Sequence, residues 1–257
     1  MEYAVGIDLH GTLMEDKEYI REDLKNQLIT ALNAVKGFCS FYVATGNDLM
    51  FVKRKIPDDV LSIFDSLILE TGCVLSDGEA EEVLVSGDIC DKIRKFEDEL
   101  KGLRWEWVYK FDRRLTSIAA FTKYGFSPGE CSRDVCGKVV DAGLKGICYV
   151  TYSSVAVDVV PNGFSKLTGL KHVAGDLKTI GIADSMNDIQ LHLGTDISFA
   201  PSNISPELEK KIAESGRTLM KLSDADELVD NITYVASYPA TEGVIEVLDF
   251  LSASQPP

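Results

Sequence analysis

Four short segments bring carboxylates, hydroxyls and a lysine to points where an apolar run gives way to polar residues. They are Tyr3-Ala-Val-Gly-Ile-Asp8, Phe41-Tyr-Val-Ala-Thr45 with Gly46 and Asn47 behind it, the stretch from Asn162 to Lys166, and Thr179 to Asp184 with Asp188 close after. Carboxylates gathered from several of these points would raise one another's pKa. A hard divalent cation resolves that conflict, and magnesium suits carboxylate and phosphate oxygens. A lysine adds a fixed positive charge, and hydroxyl and amide donors at the start of a helix hold an anion. A carboxylate nucleophile, a cation, a lysine and phosphate-holding donors are the parts of a site for phosphoryl transfer.

These residues can meet only if the elements between them fold as a parallel sheet, where functional groups collect beyond the carboxyl ends of the strands. The pattern supports that. The segment 3–8 is short, apolar and β-branched, and so is 41–44, which predicts buried strands. Between them Leu24, Leu28, Ile29, Leu32 and Val35 recur on one helical face, with Gly37 as a stop. A third strand is expected at 66–70. Strand alternating with helix is the grammar of a covered parallel sheet.

Near residue 80 the grammar changes. Strands are expected at 82–85, 105–111, 116–122 and 146–160, with helices at 88–100 and 128–142. Alternation of strand and helix returns after Val160, with strands at 179–183 and 196–200 and helices at 165–173, 188–193, 206–215 and 243–251. The expected class is α/β: a Rossmann-like parallel-sheet core from residues 1–79 and 154–257, with an inserted α+β domain at 80–153. Charge supports the division. The insert holds twelve Lys/Arg and twelve Asp/Glu, so the whole net charge of −15 falls on the core. The 252–257 tail carries no pattern.

The four segments also resemble a known family. Asp8-Leu-His-Gly-Thr12 resembles the DxDGT opening of haloacid dehalogenase superfamily phosphatases, and Ala44-Thr-Gly-Asn47 is similar to their second motif. Asn162-Gly-Phe-Ser-Lys166 resembles the third, and Gly181-Ile-Ala-Asp-Ser-Met-Asn-Asp188 the fourth. Order and spacing match over nearly the whole chain, including Glu242-Gly243-Val244. An insert between the second and third motifs is the position of a C2-type cap, as in Cof-type sugar phosphatases and archaeal phosphoglycolate phosphatases. The resemblance implies that Asp8 is the nucleophile and that Thr45, with Gly46 and Asn47, holds the phosphoryl oxygens. It implies that Lys166 bridges Asp8 and the phosphate. Magnesium would be held by Asp8, the His10 carbonyl and Asp184, with Asp188 acting through water or orienting Lys166, and with Ser185 and Asn187 in support.

Two positions depart from the family pattern. Ala183 stands where a glycine is usual. His10 stands where the family places a second aspartate, which supplies a metal-binding carbonyl and an acid–base side chain. Histidine keeps the carbonyl, and an imidazole with an ordinary pKa near 6.5 can do acid–base work in principle. Either His10 performs that role, or it is tolerated for its carbonyl and turnover is slow. In the insert, Arg113-Arg114 is either a solvated pair or a clamp on the far end of a substrate. The alternating Trp105, Trp107, Tyr109 and Phe111 are either core or a stacking platform.

The expected activity is magnesium-dependent hydrolysis of a small phosphorylated metabolite, a sugar phosphate or a phosphoglycolate-like acid. The alternatives are a phosphometabolite-binding protein with weakened catalysis and a phosphomutase. A chain this acidic would repel nucleic acid and anionic membranes. It has no apolar run near the roughly 18 residues of a membrane span. Six dispersed cysteines without a CxxC pair, and a start bearing Glu2 and Asp8, point to a reduced, cytoplasmic protein.

Overall fold

The computed structural model describes residues 2–15, 19–153 and 155–254; the last three residues of the patternless tail, 255–257, lie outside these. In chain order the strands are β1 (Tyr3–Asp8), β2 (Cys39–Ala44), β3 (Ser66–Leu69), β4 (Val74–Ser76), β5 (Glu81–Val83), β6 (Val108–Arg113), β7 (Ile118–Thr122), β8 (Cys148–Tyr152), β9 (Ala156–Pro161), β10 (Lys178–Ile182), β11 (Ile197–Ala200), β12 (Thr218–Lys221) and β13 (Ile232–Val235). Among the described residues they form a nine-stranded sheet, ordered β12-β13-β11-β10-β1-β2-β3-β4-β5, and a four-stranded sheet, β6-β7-β9-β8. The larger sheet is parallel from β12 to β3 and antiparallel at β4 and β5.

Strand order reverses beside β1, whose neighbours are β2 on one side and β10 on the other. Register then decides what meets there. Asp8 pairs with Ala44, and Ile7 with Ile182. Asp8, Thr45 and the segment leading into Asp184 therefore leave the sheet at one level. Five of the six residues of β1 and all six of β2 are buried, as strands covered on both faces must be. The helix Glu22–Val35 turns Leu24, Leu28, Ala31, Leu32 and Val35 inward, the stripe expected of it.

The small sheet and the helices Gly87–Gly102 and Pro128–Asp141 share a separate core that includes Ile93, Phe96, Trp107, Ile118, Val135, Val157 and Val159. Side chains alternate along a strand. Ile118 and Ala120 of β7 and Val157 and Val159 of β9 face that core, while Phe121, Ala156 and Asp158 face a cavity at the junction with the larger sheet.

Several elements differ from expectation. The single strand expected at 146–160 is two, because Ser153 turns the chain: its N–H donates to the Ala156 carbonyl, and its hydroxyl accepts from the Ala156 N–H. The return strand β9 completes the small sheet. Residues 81–83 instead extend the large sheet, after a turn in which Asp77 accepts from the N–H groups of Glu79 and Ala80. Residues 81–83 thus belong to the large sheet, and the small sheet runs on through β9 to Pro161. Strands β4, β12 and β13, three or four residues each, are too short to leave a readable period. The closing helix is longer than expected, Ala240–Ala253. Trp107 joins the insert's core, and Trp105 and Phe111 pack against it. A register shift between Val108 and Lys110 leaves Tyr109 72% exposed, so the aromatic series forms no platform in the cavity.

All six cysteines are free, and four are buried. Among the described residues no helix is long and apolar enough to cross a membrane. His192 is fully buried, with Nε2 3.1 Å from the Ala183 carbonyl, and burial pushes its pKa down to about 4. The native state thus resists protonation that the unfolded chain accepts below about pH 6.5. This contribution to stability is present above that pH and is lost as pH falls toward 4. Relative to His192→Leu, wild type should lose up to about 2–3 kcal/mol between pH 7 and pH 4 in urea unfolding. An unchanged difference between the two proteins would contradict it.

Candidate active site

Asp8, at the end of β1, is 4% exposed. Behind it the chain turns tightly: Leu13 N–H donates to the Asp8 carbonyl, Met14 N–H donates to that of Leu9, and Gly11 takes φ 70°. Lys166 comes from across the sheet, as the first residue of the helix Lys166–Ala174. A reciprocal cap sets that helix start: the Ser165 hydroxyl accepts from Thr168 N–H, and the Thr168 hydroxyl accepts from Ser165 N–H. Its ammonium, 4% exposed, lies 2.6 Å from Asp8 Oδ1 and 2.8 Å from Asp188 Oδ2. Burial opposes the charge on Lys166, but Asp188 and Asp8 outweigh it and hold the pKa above the ordinary lysine range. Asp8 and Asp188 are thereby both engaged by Lys166.

Asp184 leaves the end of β10 one residue after the buried Ala183. It accepts from the Thr12 hydroxyl at 3.3 Å and from the Asn203 amide at 3.5 Å. Asn203 also donates to the Gly11 carbonyl at 2.8 Å, tying the loop after β11 to the loop after β1. Burial pushes Asp184 up, Asp8 adds to the rise, and Lys166 opposes it. Asp188 is raised in the same way, by burial first, with Lys166 opposing. The Ser185 hydroxyl donates to Asn187 Oδ1 at 2.5 Å.

Thr45 follows β2, and its hydroxyl accepts from the N–H and side-chain amide of Asn47 at 3.2 and 3.0 Å. Asp48 caps the next helix by accepting from Phe51 N–H. Asn47 Nδ2 lies 3.5 Å from His10 Nδ1, and the imidazole leans on the Phe51 ring, with centroids 5.3 Å apart. Thr71 stands beside this loop at φ 60°, ψ 36°. A β-branched residue there costs on the order of 1–3 kcal/mol and persists only where its surroundings impose it. Here Thr71 N–H donates to the Thr45 carbonyl, and a Cβ on Gly72 would stand 2.0 Å from the Ser165 carbonyl oxygen.

These groups line one cavity of about 450 Å³ between the two sheets. Of the residues singled out by sequence, Asp8, His10, Thr45, Gly46, Asn47, Arg114, Lys166, Asp184, Ser185 and Asn187 line it, and Asp188 reaches it through Lys166. Arg113 does not: it ends β6 exposed to solvent. The Arg114 side chain is 5% exposed and pairs with Asp158 at 3.2 Å. Sequence reading missed Thr71, Asp158 and Asn203. Asn203 lies just beyond the end of a core strand, where the strand-end rule could have found it. The same holds for Thr71, two residues beyond β3, whereas Asp158, inside β9, carries no such signal.

Among the described residues no group of three or more His, Cys, Asp or Glu side chains gathers as a metal site. Of the three acids, Asp8 and Asp184 line the cavity and Asp188 does not. A buried carboxylate raised by burial and by a second carboxylate, with one hydroxyl and one amide as its side-chain partners, fits a hard divalent cation.

No family model matches the chain. It is 26% identical over 230 residues to a phosphoglycolate phosphatase of Metallosphaera sedula, spanning 87% of this chain and 95% of that one. Among solved structures, it is similar to the sucrose-phosphatase of Synechocystis in complex with sucrose and phosphate, with TM-score 0.66, 16% identity and 96% of each chain covered. It is also similar to a haloacid dehalogenase-like hydrolase from Bacteroides thetaiotaomicron, with TM-score 0.61, 14% identity, and 98% of this chain and 100% of that one covered. With a Rossmann-like core, an inserted α+β cap and four motif segments at the strand ends, the chain has the fold of the haloacid dehalogenase superfamily.

Proposed function

We propose that the chain is a magnesium-dependent phosphomonoester hydrolase acting through an aspartyl-phosphate on a small phosphorylated metabolite, a sugar phosphate or a short phosphorylated acid. One observation carries the reading: Lys166 bridges Asp8 and Asp188 at a cavity whose other wall is Thr45 and Asn47. A carboxylate at a buried ammonium can attack phosphorus only if the negative charge of the incoming phosphate is met. Lys166, the Thr45 hydroxyl and the Asn47 amide meet it. A magnesium ion held by Asp8 and Asp184, with the His10 carbonyl, would supply further charge neutralisation when bound. An Asp8 oxygen bonds to phosphorus as the ester oxygen departs and takes a proton from water. Water then attacks the aspartyl-phosphate, releasing inorganic phosphate and restoring Asp8. The named relatives, a phosphoglycolate phosphatase and a sucrose-phosphatase, support the class of substrate.

A second reading, a phosphometabolite-binding protein with little turnover, is favoured by His10. Its imidazole rests against Phe51 and near Asn47, where the family pattern has a carboxylate.

The deciding measurement is hydrolysis of 4-nitrophenyl phosphate with Mg²⁺ and with EDTA, followed by a panel of phosphorylated sugars and acids. Turnover should require Mg²⁺. Millimolar Mg²⁺ should also raise the melting temperature, as any ligand selective for the native state does, and Asp184→Asn should remove that shift. No turnover and no shift would overturn the hydrolase reading; a shift without turnover would favour the binding protein.

A further inference from the structure

We propose that Glu70 is a specificity-determining positioning residue that seats Arg114 of the insert against the loop Thr45–Asn47; this rests on the phosphatase reading and deepens it. Glu70 follows β3 and is 1% exposed. Glu70, Thr71 and Gly72 all take positive φ, 46°, 60° and 87°. The N–H of Glu70 donates to the Asn47 carbonyl at 3.1 Å and that of Thr71 to the Thr45 carbonyl at 2.9 Å. This left-handed turn is thus fastened to the loop assigned to the phosphate, and at Gly72 it rests on the residue before Lys166.

The side chain of Glu70 runs the other way, into the insert. Oε1 accepts from Leu115 N–H at 2.6 Å. Oε2 accepts from Thr116 N–H at 2.8 Å, from the Thr116 hydroxyl at 2.6 Å and from the Ser117 hydroxyl at 3.3 Å. Four donors from three consecutive residues converge on one carboxylate, and Arg114 directly precedes them. Arg114 Nη1 lies 3.7 Å from where a Cβ on Gly46 would stand, and its Nε is buried without a hydrogen-bond partner. One residue therefore holds the phosphate loop by its backbone and the segment carrying Arg114 by its side chain. A phosphate on Thr45 and Asn47 would place the next atoms of the substrate beside this guanidinium. The class recognised there is a phosphomonoester with an acceptor oxygen, a carboxylate or hydroxyl, close to the ester.

Glutamine in place of Glu70 keeps the shape but turns an NH₂ toward groups that are themselves donors. The opposite side of the insert stays tied to the core through Tyr149 to the Phe164 carbonyl and Tyr152 to Glu207, both at 2.9 Å. The test is steady-state kinetics on 4-nitrophenyl phosphate and on phosphoglycolate, for wild type, Glu70→Gln, Arg114→Ala and the double variant, with amide exchange read at Leu115 and Thr116. Glu70→Gln should raise KM for phosphoglycolate about 10-fold and leave kcat within about 3-fold, with a KM rise below about 3-fold for the aryl ester. Exchange at Leu115 and Thr116 should quicken by about 100-fold. The double variant should discriminate between the substrates no worse than Arg114→Ala, because the two residues act through one contact. Equal losses on both substrates, or losses that multiply in the double variant, would reduce Glu70 to a structural residue and overturn the proposal. If Glu70→Gln does not fold, Thr116→Val removes one donor only and should show the same substrate dependence at about 3-fold; its absence would be equally decisive. A wild type that hydrolyses neither ester would overturn the phosphatase reading and the proposal with it. Turnover of both esters with no effect at Glu70 would overturn the proposal alone.

Discussion

Asp8→Asn should abolish turnover, with a loss of at least about 10⁴-fold in kcat, the scale seen when a covalent nucleophile is removed. The variant should fold. Asparagine is nearly isosteric, Lys166 keeps Asp188 as its partner at 2.8 Å, and Asp184 loses a neighbouring like charge that now raises it. Loss of activity without loss of structure separates a nucleophile from a scaffold carboxylate. Beryllium fluoride or orthovanadate should protect wild type against thermal unfolding and should not protect the variant. Hydrolysis that survives in Asp8→Asn would rule out the aspartyl-phosphate, and with it the role given to Lys166.

The second large effect is expected at His10. A positioned acid–base group is worth roughly 10²- to 10⁴-fold. The imidazole leans on Phe51 and lies near the Asn47 amide, where the family pattern has a carboxylate. The expected result is a slow wild type, a nearly silent His10→Ala, and a His10→Asp that gains about 10²-fold by restoring a carboxyl acid at the ester oxygen. Measuring kcat for the three proteins from pH 5 to 9 distinguishes this from a working imidazole. A fast wild type, a large loss in His10→Ala and a pH limb in the imidazole range would refute the expectation.

Asp8 and His10 are both legible in the order of residues along the chain, and the reason is physical. A strand that ends on a carboxylate, followed by a turn, has few places to sit in a parallel sheet, and β1, β2 and β10 all read as short apolar runs. Lys166 is legible only in company. Alone, a lysine at a helix start reads as a solvated surface residue; burial between Asp8 and Asp188 is a property of the assembled sheet. The long strand expected at 146–160 fails because hydrophobic pattern records burial rather than direction, and the sequence mark of the reversal is only the pair of serines that begins at Ser153. The aromatic stripe fails as a platform because a one-residue register shift turns Tyr109 outward.

By itself, then, the sequence determined the α/β class and the presence of an insert, because these follow from local period, while its resemblance to the family pattern singled out Asp8, Thr45, Lys166 and Asp184 and the departure at His10. Tertiary structure decided which of two adjacent arginines enters the cavity, that Lys166 contacts both Asp8 and Asp188, that Asp158 and Asn203 line the cavity, and that Glu70 joins the loop Thr45–Asn47 to the insert. Each of those depends on contacts between residues far apart in sequence, such as Glu70 with Thr116 or Asp184 with Asn203. Strand register and the closing of one sheet over another set such contacts, and neither leaves a mark in the spacing of residues along the chain.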